Sequence, residues 1–208
     1  MEGCASGACD PRRADRRQAI LDAAESLFLE QGFDAVSLSA IVKRSGGSLA
    51  TVYELFENKL GLLRAVVERG SEEGFEGLDA AAFGDGPAAD ALRLIAHRIH
   101  AFYTTPRAIA MKRIVIAESL RNPDFARDFH RVVHLAHVRE LADIFRRWAA
   151  DGKAAIDDPE AAAELYLSTV MCDAPVRAMC GEAGGDPADA ERRLDWRLAP
   201  FIAYFAIR

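Results

Sequence analysis

The chain has no long hydrophobic run and few residues that break helices. Half of its 208 residues are hydrophobic, yet no apolar stretch approaches the roughly 20 residues that a membrane-spanning helix needs. Residues 1–17 lack the apolar core of a secretory signal, so we expect a cytoplasmic protein. Only eight prolines and fifteen glycines occur, and this composition favours an all-α fold.

Cysteine and the common enzyme motifs are also scarce. The four cysteines (Cys4, Cys9, Cys172 and Cys180) are too few and too scattered for a disulfide scaffold, and we interpret Cys172 and Cys180 as packing residues. The sequence contains no Gly-x-Ser-x-Gly, His-Glu-x-x-His or Cys-x-x-Cys motif. These absences argue against the enzyme classes that depend on such motifs.

A net positive charge is missing as well. The formal net charge is −6, from 26 Lys and Arg against 32 Asp and Glu. Residues 11–69 nevertheless carry nine basic and eight acidic residues, whereas residues 70–208 carry seventeen and twenty-two. The densest basic cluster consists of Arg12, Arg13, Arg16 and Arg17. A polyanion is therefore expected to approach the N-terminal end, away from the acidic remainder.

The segment 16–63 predicts a compact three-helix unit. Apolar residues that recur every three or four positions indicate a first helix over about residues 15–31, and Gly32 is placed to end it. Two short helices are expected to follow, over residues 38–45 and, after Ser48, to about residue 56.

The connections between these helices carry the functional signal. Ser37 and Ser48 are typical N-cap residues for the second and third helices, and Gly46-Gly47 makes the turn between them. Two short helices joined in this way are typical of a helix-turn-helix, whose second helix reads DNA in the major groove. A phosphate-binding loop is the alternative for these glycines, but no strand precedes them and no Gly-Lys-Ser/Thr follows.

The third helix and its flanks supply the candidate DNA contacts. Small side chains at its N-terminus can approach base edges, while hydroxyls and backbone amides can bind phosphate. Val52 and Phe56 are expected to face inward, against Ile41 and Leu63. The candidate DNA-binding residues are Ser37, Ser48, Leu49, Ala50, Thr51, Tyr53 and Lys59. Taken singly, Ser37 and Ser48 would cap their helices with or without DNA.

More helices are expected after Asn58. Asn58 is placed to cap a fourth helix over about residues 59–73, and the Gly-rich residues 74–87 indicate a loop. Proline and glycine positions then delimit five further helices, over about residues 88–103, 107–120, 124–150, 159–180 and 187–207. The prediction is about nine helices, with a helix-turn-helix DNA-binding domain over residues 11–60 and a second helical domain over residues 61–208.

The N-terminal segment resembles the DNA-binding domain of the TetR family of transcriptional repressors. The family motif is present in order and without gaps, as Gly32-Phe33, Ser37, Ile41, Gly46-Gly47-Ser48, Thr51, Tyr53, Phe56 and Lys59. Leu49 stands where many members carry Lys, and Ala50 where many carry Gly, so the operator sequence does not transfer. The resemblance implies a one-component repressor without a cofactor.

Residues 113–129 resemble the multidrug-efflux-type repressors within that family. This resemblance implies a helical ligand-binding domain in which the last two helices, here 159–180 and 187–207, form a homodimer through a four-helix bundle. Apolar stripes on these helices agree with that role, and they comprise Leu165, Tyr166, Thr169, Val170, Leu194, Leu198, Ile202 and Phe205. A dimer holds two reading helices about 34 Å apart and so fits palindromic double-stranded DNA.

The helix expected over residues 124–150 suggests a ligand pocket. At 100° per residue, His130, His134 and His137 fall on the apolar, inward face of this helix. Three histidines at this spacing could hold a metal, contact a ligand in an apolar cavity, or be hydrogen-bonded core residues. Glu118 could attract a cationic ligand, although an ion pair with Arg121 is the simpler expectation. The candidate ligand-binding residues are Phe102, Tyr103, Met111, Glu118, His134, His137, Trp148 and Met171.

Taken together, the resemblance implies a ligand-responsive, sequence-specific DNA-binding repressor rather than an enzyme. A small apolar or amphipathic inducer would release it from DNA, with helix 59–73 as the transmitter between the two domains. An all-helical enzyme stays open as an alternative through the three histidines. A non-specific architectural DNA-binding protein is a further alternative, against which the acidic second domain argues.

Overall fold

The computed structural model describes residues 11–78, 86–172, 174–181 and 186–208, and these residues contain no strand. The chain divides into two compact units between Val67 and Glu68, whereas the sequence placed the division after residue 60. Residues 1–10, which include Cys4 and Cys9, lie outside the described residues. Within the described part, no helix is both long enough and apolar enough to cross a membrane.

The first unit is built from short helices at the predicted places. They are α1 (Pro11–Gln31), α2 (Leu38–Ser45), α3 (Leu49–Phe56) and the start of α4 (Lys59–Phe75). α1 begins at Pro11 and not at the predicted Asp15, and a proline fits the first turn of a helix. Gly32, at a φ of 81°, ends α1 as predicted, and its N–H donates to the Phe28 carbonyl at 3.0 Å.

The apolar stripes of these helices form the core of the first unit. Val52 and Phe56 of α3 are buried, as are Ile41 and Leu63, which confirms the predicted inward face of α3. The remaining large core residues are Ile20, Leu21, Leu27, Phe28 and Leu62. Burial of each such side chain contributes about 1.5–3 kcal/mol, so this small unit depends on nearly all of them.

The second unit continues the helical order. After α4 come α5 (Ala88–Tyr103), α6 (Pro106–Arg121), α7 (Pro123–Phe129), a π-helical turn (His130–His134), α8 (Leu135–Ala150), α9 (Pro159–Met171), α10 (Ala174–Met179) and α11 (Pro187–Tyr204). Thr105, Asp158 and Asp186 cap α6, α9 and α11, each just before a proline at the first helical position. Residues 79–85, half of the Gly-rich loop expected over residues 74–87, lie outside the described residues.

Each of the nine predicted helices has a counterpart among the described residues, but two differ internally. The helix expected over residues 124–150 contains the π-helical turn, and the helix expected over residues 159–180 ends at Met171. Cys172 follows with a φ of 39°, a left-handed conformation that breaks the helix. No glycine or proline marks the π-helical turn, whereas Pro175, three residues after Cys172, is a sequence signal for the end of α9.

Aromatic packing holds the core of the second unit. Phe145 packs against Trp148, Tyr166 and Phe201, with ring centroids 5.7 to 6.0 Å apart. Tyr166 is fully buried, and its hydroxyl donates to the Leu92 carbonyl at 2.6 Å. This bond satisfies a polar group in the middle of the core and ties α9 to α5.

Candidate nucleic-acid interface and ligand site

Two serines cap the N-termini of α2 and α3, the two helices of the helix-turn-helix. The Ser37 hydroxyl accepts from the Ala40 N–H at 3.1 Å, and the Ser48 hydroxyl accepts from the Thr51 N–H at 3.2 Å. The Ser48 and Thr51 hydroxyl oxygens also lie 3.0 Å apart, within hydrogen-bonding distance. Both predicted capping roles are confirmed, while contact of these hydroxyls with phosphate stays a prediction.

The recognition helix α3 has one buried face and one open face. Val52 is 0% and Phe56 is 5% exposed, whereas Tyr53 is 53% and Leu49 is 39% exposed. Ala50 is exposed beside them. Because the open face begins with small and apolar side chains, the backbone of α3 can approach DNA closely.

Lys59, the remaining candidate contact, already has partners within the first unit. Its Nζ donates to the Asp34 carbonyl at 3.3 Å and lies 4.4 Å from the centre of the Phe33 ring. These contacts hold the ammonium group at the junction of α1 and α2, and a phosphate contact by Lys59 stays a prediction.

The basic cluster folds onto the helix-turn-helix, which the sequence analysis did not foresee. Because α1 starts at Pro11, its arginines are helical residues and not a flexible arm. Arg16 donates to the Ser45 carbonyl at 3.3 Å, next to the turn formed by Gly46 and Gly47. Both glycines have φ values (75° and 103°) in the left-handed region, and a Cβ on Gly46 would lie 3.3 Å from Arg16 Nη1. Arg16 therefore places positive charge at the turn between α2 and α3.

A second arginine of α1 contacts α3 itself. Arg13 Nη2 donates to Glu54 Oε1 at 3.1 Å, and both side chains are more than 60% exposed. Neither residue was predicted as a site residue, because the pair joins positions 41 residues apart.

In the second unit, two of the predicted ligand residues meet at a serine. Ser71 Oγ lies 2.9 Å from His137 Nε2 and 3.3 Å from the Tyr103 hydroxyl. The Phe75 ring stacks on His137 with centroids 3.7 Å apart. Ser71 had no signal in the sequence, since a lone serine within a helix is usually a surface residue.

Burial favours the uncharged forms of the side chains in and around this polar cluster. It lowers the pKa of His137 to about 4, and the neighbouring His134 adds to that effect. Burial also lowers the pKa of Lys112 to about 8; its Nζ lies 4.9 Å from the Tyr103 ring centre. The pKa of Tyr103 is raised by burial, against which the hydrogen bond with Ser71 acts. His137 and Tyr103 are therefore neutral near pH 7 and can exchange hydrogen bonds with an uncharged ligand.

A cavity of about 610 Å³ adjoins this cluster. His137 is the one predicted ligand residue that lines it. Its apolar lining comes from Phe75, Leu78, Val132, Val133 and Ala136, and its charged lining from Glu68, Arg69, Glu72, Glu73, Glu76 and Glu140. The volume lies within the range of small-molecule sites.

The other predicted ligand residues lie elsewhere in the second unit. Trp148 is fully buried in the aromatic core, and Met111 is buried on α6. Met171 packs partly buried against the same core. The Phe102 ring covers Gly74, where a Cβ would lie 2.6 Å from its Cδ1. Glu118 is buried and accepts from Arg121 Nη1 at 2.9 Å, which is the expected ion pair.

The prediction of a three-histidine inward face is wrong. His137 is buried, but His130 and His134 are exposed and stack on each other with centroids 5.1 Å apart. The π-helical turn over His130–His134 is the reason, because its wider turn breaks the 100° periodicity on which the prediction relied. Among the described residues, no group of three or more His, Cys, Asp or Glu side chains is arranged to hold a metal.

A capped helix-turn-helix ahead of a larger helical unit defines a DNA-binding transcriptional regulator. Residues 20–66 match the family described as bacterial regulatory proteins, tetR family, and residues 90–200 match the AefR-like transcriptional repressor, C-terminal domain. The second match alone covers more than half of the chain. The protein belongs to the TetR family, whose members are ligand-responsive DNA-binding regulators and not enzymes, as the sequence predicted.

Individual relatives agree with this assignment. ComR of Escherichia coli, a helix-turn-helix transcriptional repressor, is 45% identical over 53 residues, which is 26% of this chain and 25% of ComR. The structure of the flavonoid-responsive regulator FrrA is 29% identical, with a TM-score of 0.70 over 92% of this chain and 97% of FrrA. A TetR-family regulator from Mesorhizobium loti has the same fold, with a TM-score of 0.80 at 23% identity over 94% and 99% of the two chains. The match to ComR spans about a quarter of that protein.

Proposed function

We propose that this protein is a homodimeric repressor that binds a palindromic operator through α3 and leaves it when a small molecule enters the second unit. The observation that carries the proposal is the capped α3, with Val52 and Phe56 buried and Tyr53 exposed on its open face. Ser37, Ser48, Leu49, Ala50, Thr51, Tyr53 and Lys59 are the proposed DNA contacts. Since its target is chromosomal DNA, the repressor would act in the cytoplasm.

Exposed apolar side chains on α9 and α11 support the dimer. Leu165 is 51%, Trp196 is 77% and Tyr204 is 80% exposed. Four residues of the predicted stripe are instead buried in the chain's own core, namely Tyr166, Val170, Leu194 and Leu198. The proposed dimer surface is therefore the one formed by Leu165, Trp196 and Tyr204, and burial of large aromatic residues is typical of stable homodimers.

The cavity beside His137 is the proposed inducer site. It joins an apolar lining to neutral hydrogen-bonding groups, which suits a small amphipathic molecule. Five glutamates and one arginine among its lining residues disfavour an acidic ligand. FrrA, which responds to flavonoids by its name, supports an organic inducer of modest size.

α4 is the proposed transmitter of the ligand signal. Six residues of its second half line the cavity, namely Glu68, Arg69, Ser71, Glu72, Glu73 and Phe75. The same helix begins at Lys59, shortly after α3 ends at Phe56. A ligand that binds more tightly when α4 is in one orientation than in another would shift the population of dimers. The favoured dimers would then no longer hold their two α3 helices at the spacing that fits DNA.

Selection of bound sequences from a random DNA duplex pool tests the proposal. The wild-type protein is expected to enrich one palindrome, because two α3 helices related by a twofold axis read the same half-site twice. Tyr53→Ala and Thr51→Ala should lose that binding, and Tyr53→Phe separates loss of the hydroxyl from loss of the ring. An enriched site without twofold symmetry would contradict the dimer, and absence of any enrichment at low salt would contradict DNA reading by α3.

A further inference from the structure

The open face of α3 has few groups that can form hydrogen bonds with bases. Leu49 and Ala50 have none, and the Thr51 hydroxyl is engaged with Ser48 at 3.0 Å. Along Leu49–Phe56 only Tyr53 and Glu54 then offer further polar side-chain atoms. Base-specific hydrogen bonding from this helix must come mainly from these two residues.

Glu54 occupies the centre of the open face. At 100° per residue it lies 200° from the buried Val52, and it follows Ala50 by four positions on the same side of the helix. Its side chain is 66% exposed. A carboxylate at this position is costly for a DNA-binding helix, because it faces the negative charge of the phosphates.

Arg13 offsets that cost and fixes the side chain. Its guanidinium donates to Glu54 Oε1 at 3.1 Å from α1, which holds the carboxylate over α3 and balances its charge. A carboxylate accepts several hydrogen bonds, so acceptor positions stay available for a base. The exposed ion pair between Arg13 and Glu54 contributes only about 0–1 kcal/mol to folding stability. Stability alone therefore gives little reason for a glutamate on the open face of α3.

We propose that Glu54 is a specificity-determining residue that accepts a hydrogen bond from the N4 amino group of a cytosine in each half-site, with Arg13 as its positioning residue. The inference rests on the proposed function, since it requires α3 to enter the major groove. Glutamate suits this role because cytosine presents an amino donor in the major groove without the neighbouring N7 acceptor of adenine, whereas guanine and thymine present acceptors.

The test compares bound sequences selected by full-length wild-type protein with those selected by Glu54→Gln, Arg13→Ala and Arg13→Lys. Wild type should prefer cytosine at one position of each half-site by about 10–100-fold. Glu54→Gln should move that position toward adenine, which a glutamine amide recognises, and leave the other positions unchanged. Arg13→Ala should weaken the same preference alone, and Arg13→Lys should restore part of it.

Glu30→Gln is the matched control. Glu30 forms a comparable ion pair with Arg44 at 2.9 Å, also within the first unit but outside α3. This variant removes the same charge and should keep the wild-type base profile. If Glu54→Gln binds all sequences more tightly with an unchanged profile, Glu54 acts only by repulsion and the inference is overturned. If wild type enriches no sequence at all, the DNA-binding proposal fails, and this inference fails with it.

Discussion

At the scale of single residues, His137 shows how burial sets chemistry in the second unit. It is 8% exposed, stacks on Phe75 and lies within hydrogen-bonding distance of Ser71. Its pKa of about 4 in the folded protein lies below the ordinary value of 6.5. The neutral ring is therefore part of the folded structure, and protonation favours the unfolded chain.

This pKa predicts a specific loss of stability in mild acid. As the pH falls below about 6.5, His137 becomes protonated in the unfolded chain, whereas in the folded protein it is protonated only near pH 4. The free energy of unfolding therefore declines between these pH values and levels off below them. Between pH 7 and pH 5 the loss assigned to His137 is about 2 kcal/mol. Urea unfolding at several pH values measures it.

The matched control for this prediction is a second histidine on the same segment. His137→Gln should flatten the stability profile between pH 5 and pH 7, whereas His130→Gln, at an exposed position, should keep the wild-type slope. Equal slopes for wild type and His137→Gln would show that His137 does not carry the effect.

At the scale of an element, two of the three glycines of α4, Gly70 and Gly74, have opposite surroundings. A Cβ on Gly70 would meet nothing within 4 Å, but a Cβ on Gly74 would lie 2.6 to 2.9 Å from three atoms of the Phe102 ring. Gly74 is therefore needed for the close packing of α4 against Phe102, while Gly70 only weakens the helix.

The two alanine substitutions should consequently change stability in opposite directions. Gly70→Ala should stabilise the protein by up to about 1 kcal/mol, because alanine is the better helix former. Gly74→Ala gains the same helical preference, but the added methyl group would clash with the Phe102 ring. Because such overpacking costs about 1–3 kcal/mol, this variant should be less stable than the wild type. Thermal unfolding of both variants measures the difference. Equal melting temperatures would mean that the Phe102 ring moves aside without cost.

At the scale of the whole molecule, the exposed aromatic residues of α11 predict the oligomeric state. Trp196→Glu places a charge in the proposed dimer surface and should shift the protein to a monomer in sedimentation experiments. Operator affinity should then fall by about 100-fold or more, because the two half-sites are no longer bound together. Leu120→Glu is the control, since Leu120 is 83% exposed on α6, outside that surface. A Trp196→Glu variant that stays dimeric would contradict the proposed surface.

The sequence by itself determined the features that depend on near neighbours. Gly32, Ser37, Ser48 and Asn58 end or cap helices through bonds to residues three or four positions away, so their side chains and backbone preferences were enough to place α1 to α4. The inward face of α3 followed from its own periodicity. The family followed from the same residues, because their spacing is the motif.

Only the tertiary structure decided which distant side chains meet. Ser71 reaches His137 across 66 positions and Arg13 reaches Glu54 across 41, and no local pattern encodes such pairs. The π-helical turn over His130–His134 likewise arises in the folded chain, and it separated histidines that a regular helix would have aligned. Local hydrogen bonds therefore determine where the helices begin and end. Packing between helices determines which side chains form the candidate sites, because the energy of a buried contact depends on neighbours that come together only in the folded chain.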